Sequence, residues 1–131
     1  MELEEILNNI RQKYADAVLL KEHGRYANSI YLSGYCVELS LKYAIAKHMN
    51  WTQFNTEGKF RFLKVHDLEL LVSLTGREVH IKKMSAWQVA NKWNESKRYD
   101  DPAKATRSDA DSMLFAVNKL VEDLCAISLQ K

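Results

Sequence analysis

The sequence contains few residues that interrupt or cross-link a chain: four glycines, one proline and two cysteines among 131 residues. So few glycines and prolines predict long, uninterrupted secondary-structure elements. Cys36 and Cys125 are too far apart in sequence to indicate a disulfide framework or a zinc site. Both lie in apolar helical patterns, and we therefore expect two reduced thiols in the core of the protein.

The sequence also lacks the segments that direct a protein to or across a membrane. No stretch approaches the ~18 consecutive apolar residues that a transmembrane helix requires. The N-terminus has no basic region followed by an apolar one, as a signal peptide would. We therefore expect a cytoplasmic protein that does not bind membranes.

Several classes of activity find no support in charge or motifs. The net charge of +2 is too small to imply nucleic-acid or membrane binding by itself. There is no glycine-rich phosphate loop, no pair of histidines at a helical metal-ligand spacing and no nucleophile-elbow serine. The sequence gives no indication of a hydrolase of that type, a dehydrogenase or a metalloenzyme, and we predict no cofactor and no metal.

Helical periodicity dominates the chain. Because the chain has 131 residues, we expect residues 1–131 to form a single domain, and its apolar and charged fractions, 47% and 27%, are close to globular averages. No stretch shows convincing strand alternation. The predicted helices cover Glu2–Lys21, Gly24–His48, residues 66–75, residues 81–94 and a closing helix that begins at Thr106 or Ser108. These elements predict an all-α fold, an up-and-down antiparallel bundle of about five helices.

The second predicted helix is apolar on nearly all sides, which is typical of a helix inside a bundle. Glu38 and Lys42 are the exception, because charges on such a helix are costly unless they are paired or functional. One hypothesis is a structural network that joins this pair to Arg98, Tyr99 or His66. The other is a polar pocket that holds a ligand.

Two segments contain residue types that suit nucleic acid. Residues 49–65 have no helical period, and their aromatic residues alternate with basic ones: Trp51, Phe54, Phe60 and Phe62 with Lys59, Arg61 and Lys64. This long segment either docks on the bundle through its aromatic side chains or offers stacking and phosphate attraction. Residues 77–98 contain six lysines and arginines against two glutamates, which indicates either a solvated face or an anion or RNA footprint.

Four segments in this order resemble the HEPN domain family. Residues 38–42 (Glu-Leu-Ser-Leu-Lys) are similar to the family's Glu-x-x-Leu-Lys signature in the second helix. Residues 66–68 (His-Asp-Leu) resemble the segment that opens its third helix, and residues 97–100 (Lys-Arg-Tyr-Asp) resemble its Arg-Tyr segment. The closing helix, which contains Ala110, completes a resemblance that covers roughly Leu3 to Leu124.

The resemblance implies a HEPN-like helical bundle, similar to nucleotidyltransferase substrate-binding subunits, that commonly dimerises. Many HEPN proteins act in toxin–antitoxin or antiviral systems, often beside a small nucleotidyltransferase. Many are metal-independent ribonucleases with an Arg-x(4–6)-His motif, whereas others are non-catalytic and bind nucleotides or RNA.

The arginine that matches the family best, Arg98, is not followed by the histidine that the ribonuclease motif requires. After Arg98, the positions where a histidine would fall are Ala103, Lys104 and Ala105. Arg61 and His66 fit Arg-x4-His, but they precede the third helix. As a catalytic pair, His66 would transfer a proton to or from RNA and Arg61 would stabilise the phosphorane. The structural interpretation is that His66 caps the third helix or donates to a carbonyl.

The preferred hypothesis is a homodimer that binds nucleotide or RNA without strong catalysis. It would be the partner of a nucleotidyltransferase-type protein in a toxin–antitoxin or defence system. The predicted ligand-binding residues are Glu38, Lys42, Lys97, Arg98 and Tyr99. The alternatives are a metal-independent endoribonuclease that uses Arg61 and His66 as catalytic residues, and a structural interaction module.

Overall fold

The computed structural model of the protein describes residues 1–93 and 101–129. Within these ranges the fold is all-α, and the only strand-like pairing is an isolated antiparallel bridge between Glu2 and Gln53. The α-helices are Leu3–Glu22 (α1), Tyr26–His48 (α2), Leu68–Ser73 (α3), Glu78–Lys82 (α4), Ser85–Ala90 (α5) and Arg107–Cys125 (α6). The 3₁₀-helices Gly58–Leu63 and Pro102–Lys104 lie in the connections. The predicted all-α bundle is confirmed.

The helix α2 forms the centre of the bundle, because α1, α3 and α6 all pack against it. Its buried side chains point in several directions and include Cys36, Val37, Leu39 and Leu41. The nearly all-round apolar pattern in the sequence reflects this position, since a helix with neighbours on several sides has no wide polar face. No helix among the described residues is long and apolar enough to cross a bilayer.

Local capping signals fix where the helices begin. The Asp67 side chain accepts hydrogen bonds from two backbone N–H groups in the first turn of α3, at 3.0 and 3.2 Å. Thr106 and Asp109 form a reciprocal capping box at the start of α6. Both caps use short oxygen-bearing side chains that satisfy otherwise unpaired N–H groups. The cap at Asp67 is important for the site, because it fixes the backbone directly after His66.

The prediction of one helix over residues 81–94 is wrong. Its described part forms two short helices, α4 and α5, separated at Lys83 and Met84, and Asn94 lies outside the described residues. Met84 adopts an extended conformation (φ −74°, ψ 135°) and lets the chain turn between the helices. This turn buries both Ile81 and Trp87, although they lie on different helices. Ile81, Met84, Trp87 and Ala90 follow one another at intervals of three residues, as on one face of a continuous helix, so the periodicity hides the break.

Candidate functional site

A polar stripe runs along one face of the otherwise apolar helix α2. Its members are Tyr31, Tyr35, Glu38 and Lys42, at helical spacings of four, three and four residues. The two tyrosine hydroxyl groups lie 2.9 Å apart and form a hydrogen bond. We call these four residues the α2 stripe, and the remaining site residues lie against it.

Glu38 is the most buried member of the stripe, with 4% of its side chain exposed. One carboxylate oxygen, Oε2, accepts a hydrogen bond from the Lys42 amine at 3.1 Å. The other, Oε1, lies 2.9 Å from Nδ1 of His66. The structure therefore brings Glu38, Lys42 and His66 together, and it links the central helix to the residue that precedes the cap of α3.

Lys42 is held on two sides. Its amine pairs with Glu38 and also lies 5.6 Å from the centroid of the buried Phe54 ring. An ammonium at this distance over an aromatic face is attracted by the ring quadrupole. The Lys42 charge is therefore largely balanced within the protein.

Aromatic side chains form one wall beside the stripe. The Tyr35 ring contacts Trp93 edge-on at 5.0 Å between centroids, and it contacts His66 at 6.1 Å. The Trp93 indole N–H donates to the backbone carbonyl of Tyr31 at 3.0 Å. This approach is possible because residue 34 is glycine: a Cβ there would lie 2.2 Å from Nε1 of Trp93. Sequence reasoning missed this contact, and its one signal is an isolated glycine inside a helical pattern.

The segment before His66 contains both docked and exposed aromatic residues. Phe54 is buried, and Trp51 packs edge-on against Phe60 with ring centroids 4.7 Å apart. Phe62, in contrast, is 54% exposed, and it lies between the exposed Arg61 and Lys64. Most of the aromatic residues therefore dock on the bundle, and one remains on the surface among cations.

We call residues 59–64 the basic–aromatic segment. Arg61 is exposed on the 3₁₀-helix Gly58–Leu63, and its guanidinium makes no hydrogen bond or ion pair to the described part of the chain. His66 follows shortly after the segment and is 45% exposed while Nδ1 faces Glu38. The buried carboxylate orients the imidazole, as carboxylates do for histidines that bind ligands or transfer protons.

Three predicted ligand-binding residues, Lys97, Arg98 and Tyr99, lie outside the described residues. Of the described cations in residues 77–98, two make ion pairs. Arg77 pairs with Asp123, and Lys82 pairs with Glu69 and Glu78 at 2.8 and 2.9 Å. Part of the predicted basic footprint is therefore neutralised within the fold.

The two thiols lie in the core, away from the polar stripe. Burial raises the pKa of Cys36 to about 12 and that of Cys125 to about 11. Both are therefore protonated at neutral pH and are poor nucleophiles. In the described ranges no group of three or more His, Cys, Asp or Glu side chains is placed to hold a metal ion.

The family of the chain follows from comparison with known proteins. The sequence model of the HEPN domain family matches residues 3–127, nearly the whole chain. Neither the comparison with curated proteins nor the comparison with solved structures finds a match to this chain. The match includes the α2 stripe, the cap of α3 and the closing helix α6. The chain belongs to the HEPN domain family.

Proposed function

We propose that this protein binds single-stranded RNA, or the nucleotide units of which RNA is made, without cleaving them. The observation that carries the proposal is Phe62, an exposed aromatic side chain between Arg61 and Lys64. Base stacking on an aromatic ring, combined with phosphate attraction by neighbouring cations, is a common mode of single-strand binding. Family membership supports a nucleotide- or RNA-related function.

A chain of contacts connects the basic–aromatic segment to the α2 stripe. Lys42 lies over the ring of Phe54, Phe54 contacts Trp51, and Trp51 contacts Phe60. The backbone then leads from Phe62 to His66, which faces Glu38. A bound strand would stack a base on Phe62 and place neighbouring groups near His66. Lys97, Arg98 and Tyr99 are proposed to add phosphate and base contacts.

The balance of charge supports binding over catalysis. A ribonuclease of this type needs a positioned cation where charge develops on the phosphorus oxygens. The Lys42 charge is balanced by Glu38, and no described residue holds the Arg61 guanidinium in place. Flexible surface cations attract a phosphate backbone without stabilising one particular transition state.

A metal-independent endoribonuclease is the second candidate, and the Glu38–His66 contact favours it. A carboxylate that orients a histidine is a recurring arrangement in general acid–base catalysis. In this scheme the 2′-hydroxyl loses its proton to His66 and its oxygen attacks phosphorus. The bond between phosphorus and the 5′-oxygen breaks, and the leaving oxygen takes a proton from water while His66 returns its proton to solvent, which gives a 2′,3′-cyclic phosphate and a 5′-hydroxyl. Arg61 would stabilise the phosphorane.

Members of the HEPN family often dimerise or pair with other proteins, and the proposal for assembly is based on this property. We include in the proposal a homodimer and a nucleotidyltransferase-type partner protein, in a toxin–antitoxin or defence system. A purely structural interaction module is the remaining alternative. It would show no RNA binding at any salt concentration.

Binding is tested by fluorescence anisotropy with a labelled single-stranded RNA in EDTA, over a series of salt concentrations. We expect affinity to fall as salt rises, because cations that contact phosphates release counterions. Phe62→Ala should weaken binding by roughly 5- to 100-fold, the usual effect of losing one stacking partner. Leu19→Ala is the matched control, since Leu19 is an apolar side chain with the same exposed fraction as Phe62, 54%, but lies on α1.

Charge reversal separates the remaining contributions to binding. The double substitution Lys97→Glu and Arg98→Glu should weaken binding and reduce its salt dependence. Equal binding by wild type and Phe62→Ala would contradict the stacking role. Equal salt dependence in the double variant would remove Lys97 and Arg98 from the site.

A further inference from the structure

A groove between α5 and α6 lies outside the site described above. Its volume is about 710 Å³. The small residues Ala86 and Ala116 are buried at its base, and Val89 lies on its α5 side. Phe115, on the α6 side, is 62% exposed. The fold therefore presents a large apolar side chain next to a space lined by small ones.

Two opposite charges flank Phe115 symmetrically along α6. Asp111 lies one helical turn before Phe115, Lys119 lies one turn after it, and all three line the groove. The Lys119 amine lies 5.5 Å from the centroid of the Phe115 ring. Asp111 also pairs with Lys21 of α1 at 2.8 Å, and 52% of its side chain remains exposed. The charge along this face of α6 is therefore negative before Phe115 and positive after it.

We propose that a second copy of this chain occupies the groove, in a two-fold dimer whose α6 helices pack antiparallel across Phe115. A two-fold axis at Phe115 places each residue opposite the one equally far on the other side of position 115. Lys119 then faces the partner subunit's Asp111, and this pairing occurs twice. Each Phe115 enters the space above Ala86 and Ala116 of the other copy, where small residues allow helices to approach closely.

The pattern of charges favours a second copy over other occupants. RNA would require a surface of one sign, whereas Asp111 and Lys119 lie on the same face with opposite signs. An isologous interface needs a surface that is complementary to itself. Here Phe115 would fill the space above the two alanines of the partner, and the opposite charges on either side of Phe115 would pair across the interface. The inference rests on the homodimer in the proposed function and is independent of the RNA ligand.

Light scattering during size-exclusion chromatography measures the molar mass and tests whether the groove between α5 and α6 forms the dimer interface. Wild type is expected to run as a dimer and Phe115→Asp as a monomer, with unchanged helical circular dichroism. The matched control is Val79→Asp, since Val79 on α4 is 70% exposed and should leave the dimer intact. If the Phe115→Asp variant remains dimeric, the dimer forms through another surface, and the proposed interface is wrong. A monomeric wild type at high concentration would overturn both, and RNA binding would still be tested separately.

A charge exchange tests the antiparallel register. Lys119→Glu alone and Asp111→Lys alone each bring like charges together twice in a homodimer, so each should raise the dimer Kd at least tenfold. An equimolar mixture of the two variants pairs opposite charges twice and should form a mixed dimer. Lys21→Ala controls for the lost pair between Lys21 and Asp111 and should remain dimeric. Two variants that dimerise normally alone, or that fail to form a mixed dimer, would contradict the register.

Discussion

Oε1 of Glu38, in the middle of α2, lies 2.9 Å from Nδ1 of His66, the residue that precedes the Asp67 cap of α3. This contact joins two parts of the chain that are 28 residues apart. It gives a buried carboxylate a partner from another element and, at the same time, orients a half-exposed imidazole. Structure and candidate function therefore depend on the same side chain.

Replacing Glu38 by glutamine should destabilise the protein by about 3 kcal/mol, because it leaves the Lys42 ammonium without its charged partner in a largely buried position. Urea denaturation measures the change in the free energy of unfolding. Adding Lys42→Met to the same chain should restore part of the loss, since it removes the unpaired charge.

The matched control is Glu69→Gln, which weakens the exposed pair between Glu69 and Lys82. Exposed ion pairs contribute at most about 1 kcal/mol, so this change should be small. A Glu38→Gln variant as stable as Glu69→Gln would show that the buried pair has no structural role.

Gly34→Ala should disturb the aromatic wall, because the added Cβ would meet the Trp93 indole at 2.2 Å. Overpacking of this kind costs about 1 to 3 kcal/mol. We expect a lower melting temperature and an altered tryptophan emission spectrum, since Trp93 must move away from the carbonyl of Tyr31.

Gly58→Ala provides the comparison. No atom lies within 4 Å of a Cβ at position 58, and its φ of +59° makes alanine unfavourable by about 1 kcal/mol. This variant should lose stability without any change in tryptophan emission. Unchanged emission in Gly34→Ala would contradict close packing of Trp93 on α2.

The two buried thiols should make the protein less stable at alkaline pH. Burial raises the pKa of Cys36 from 9.0 to about 12 and that of Cys125 from 9.0 to about 11. At a pH between 9 and the raised pKa of each thiol, the unfolded chain releases thiol protons that the folded chain retains. The contribution of the two thiols to stability is therefore constant well below pH 9 and falls above pH 9, by up to about 1.4 kcal/mol per pH unit for each thiol.

Urea denaturation at pH 8 and pH 10 measures this loss. The double variant Cys36→Ala and Cys125→Ala should show a smaller decrease over the same interval, although its stability at pH 8 is lower because of the lost packing. Burial also raises the pKa of Tyr43, but this tyrosine is present in both proteins, so its effect cancels in the comparison. An equal decrease in wild type and variant would contradict protonated core thiols.

The sequence was most informative where local patterns dominate. The apolar character of α2 predicted its central position, and Thr106 was one of the two predicted starts of the closing helix, where the structure has its N-cap. Glu38 and Lys42 stood out because charges on a buried helix need partners. These features depend on neighbours within one or two helical turns, so a single sequence reveals them.

Features that depend on distant parts of the chain were harder to predict. The packing of Trp93 on Gly34 joins residues 59 positions apart, and nothing local to either residue specifies it. The turn at Met84 preserves the spacing of buried residues, so periodicity did not reveal it. The alternation of aromatic and basic residues in residues 49–65 did not distinguish Phe60, which packs against Trp51, from the exposed Phe62.

The most direct test of non-catalytic binding is incubation of wild type and His66→Ala with single-stranded RNA in EDTA, followed by gel analysis of the RNA and anisotropy of the same samples. We expect the wild type to bind the RNA and leave it intact. Cleavage by the wild type to products with a 2′,3′-cyclic phosphate, abolished in His66→Ala, would contradict non-catalytic binding and assign the ribonuclease chemistry to His66.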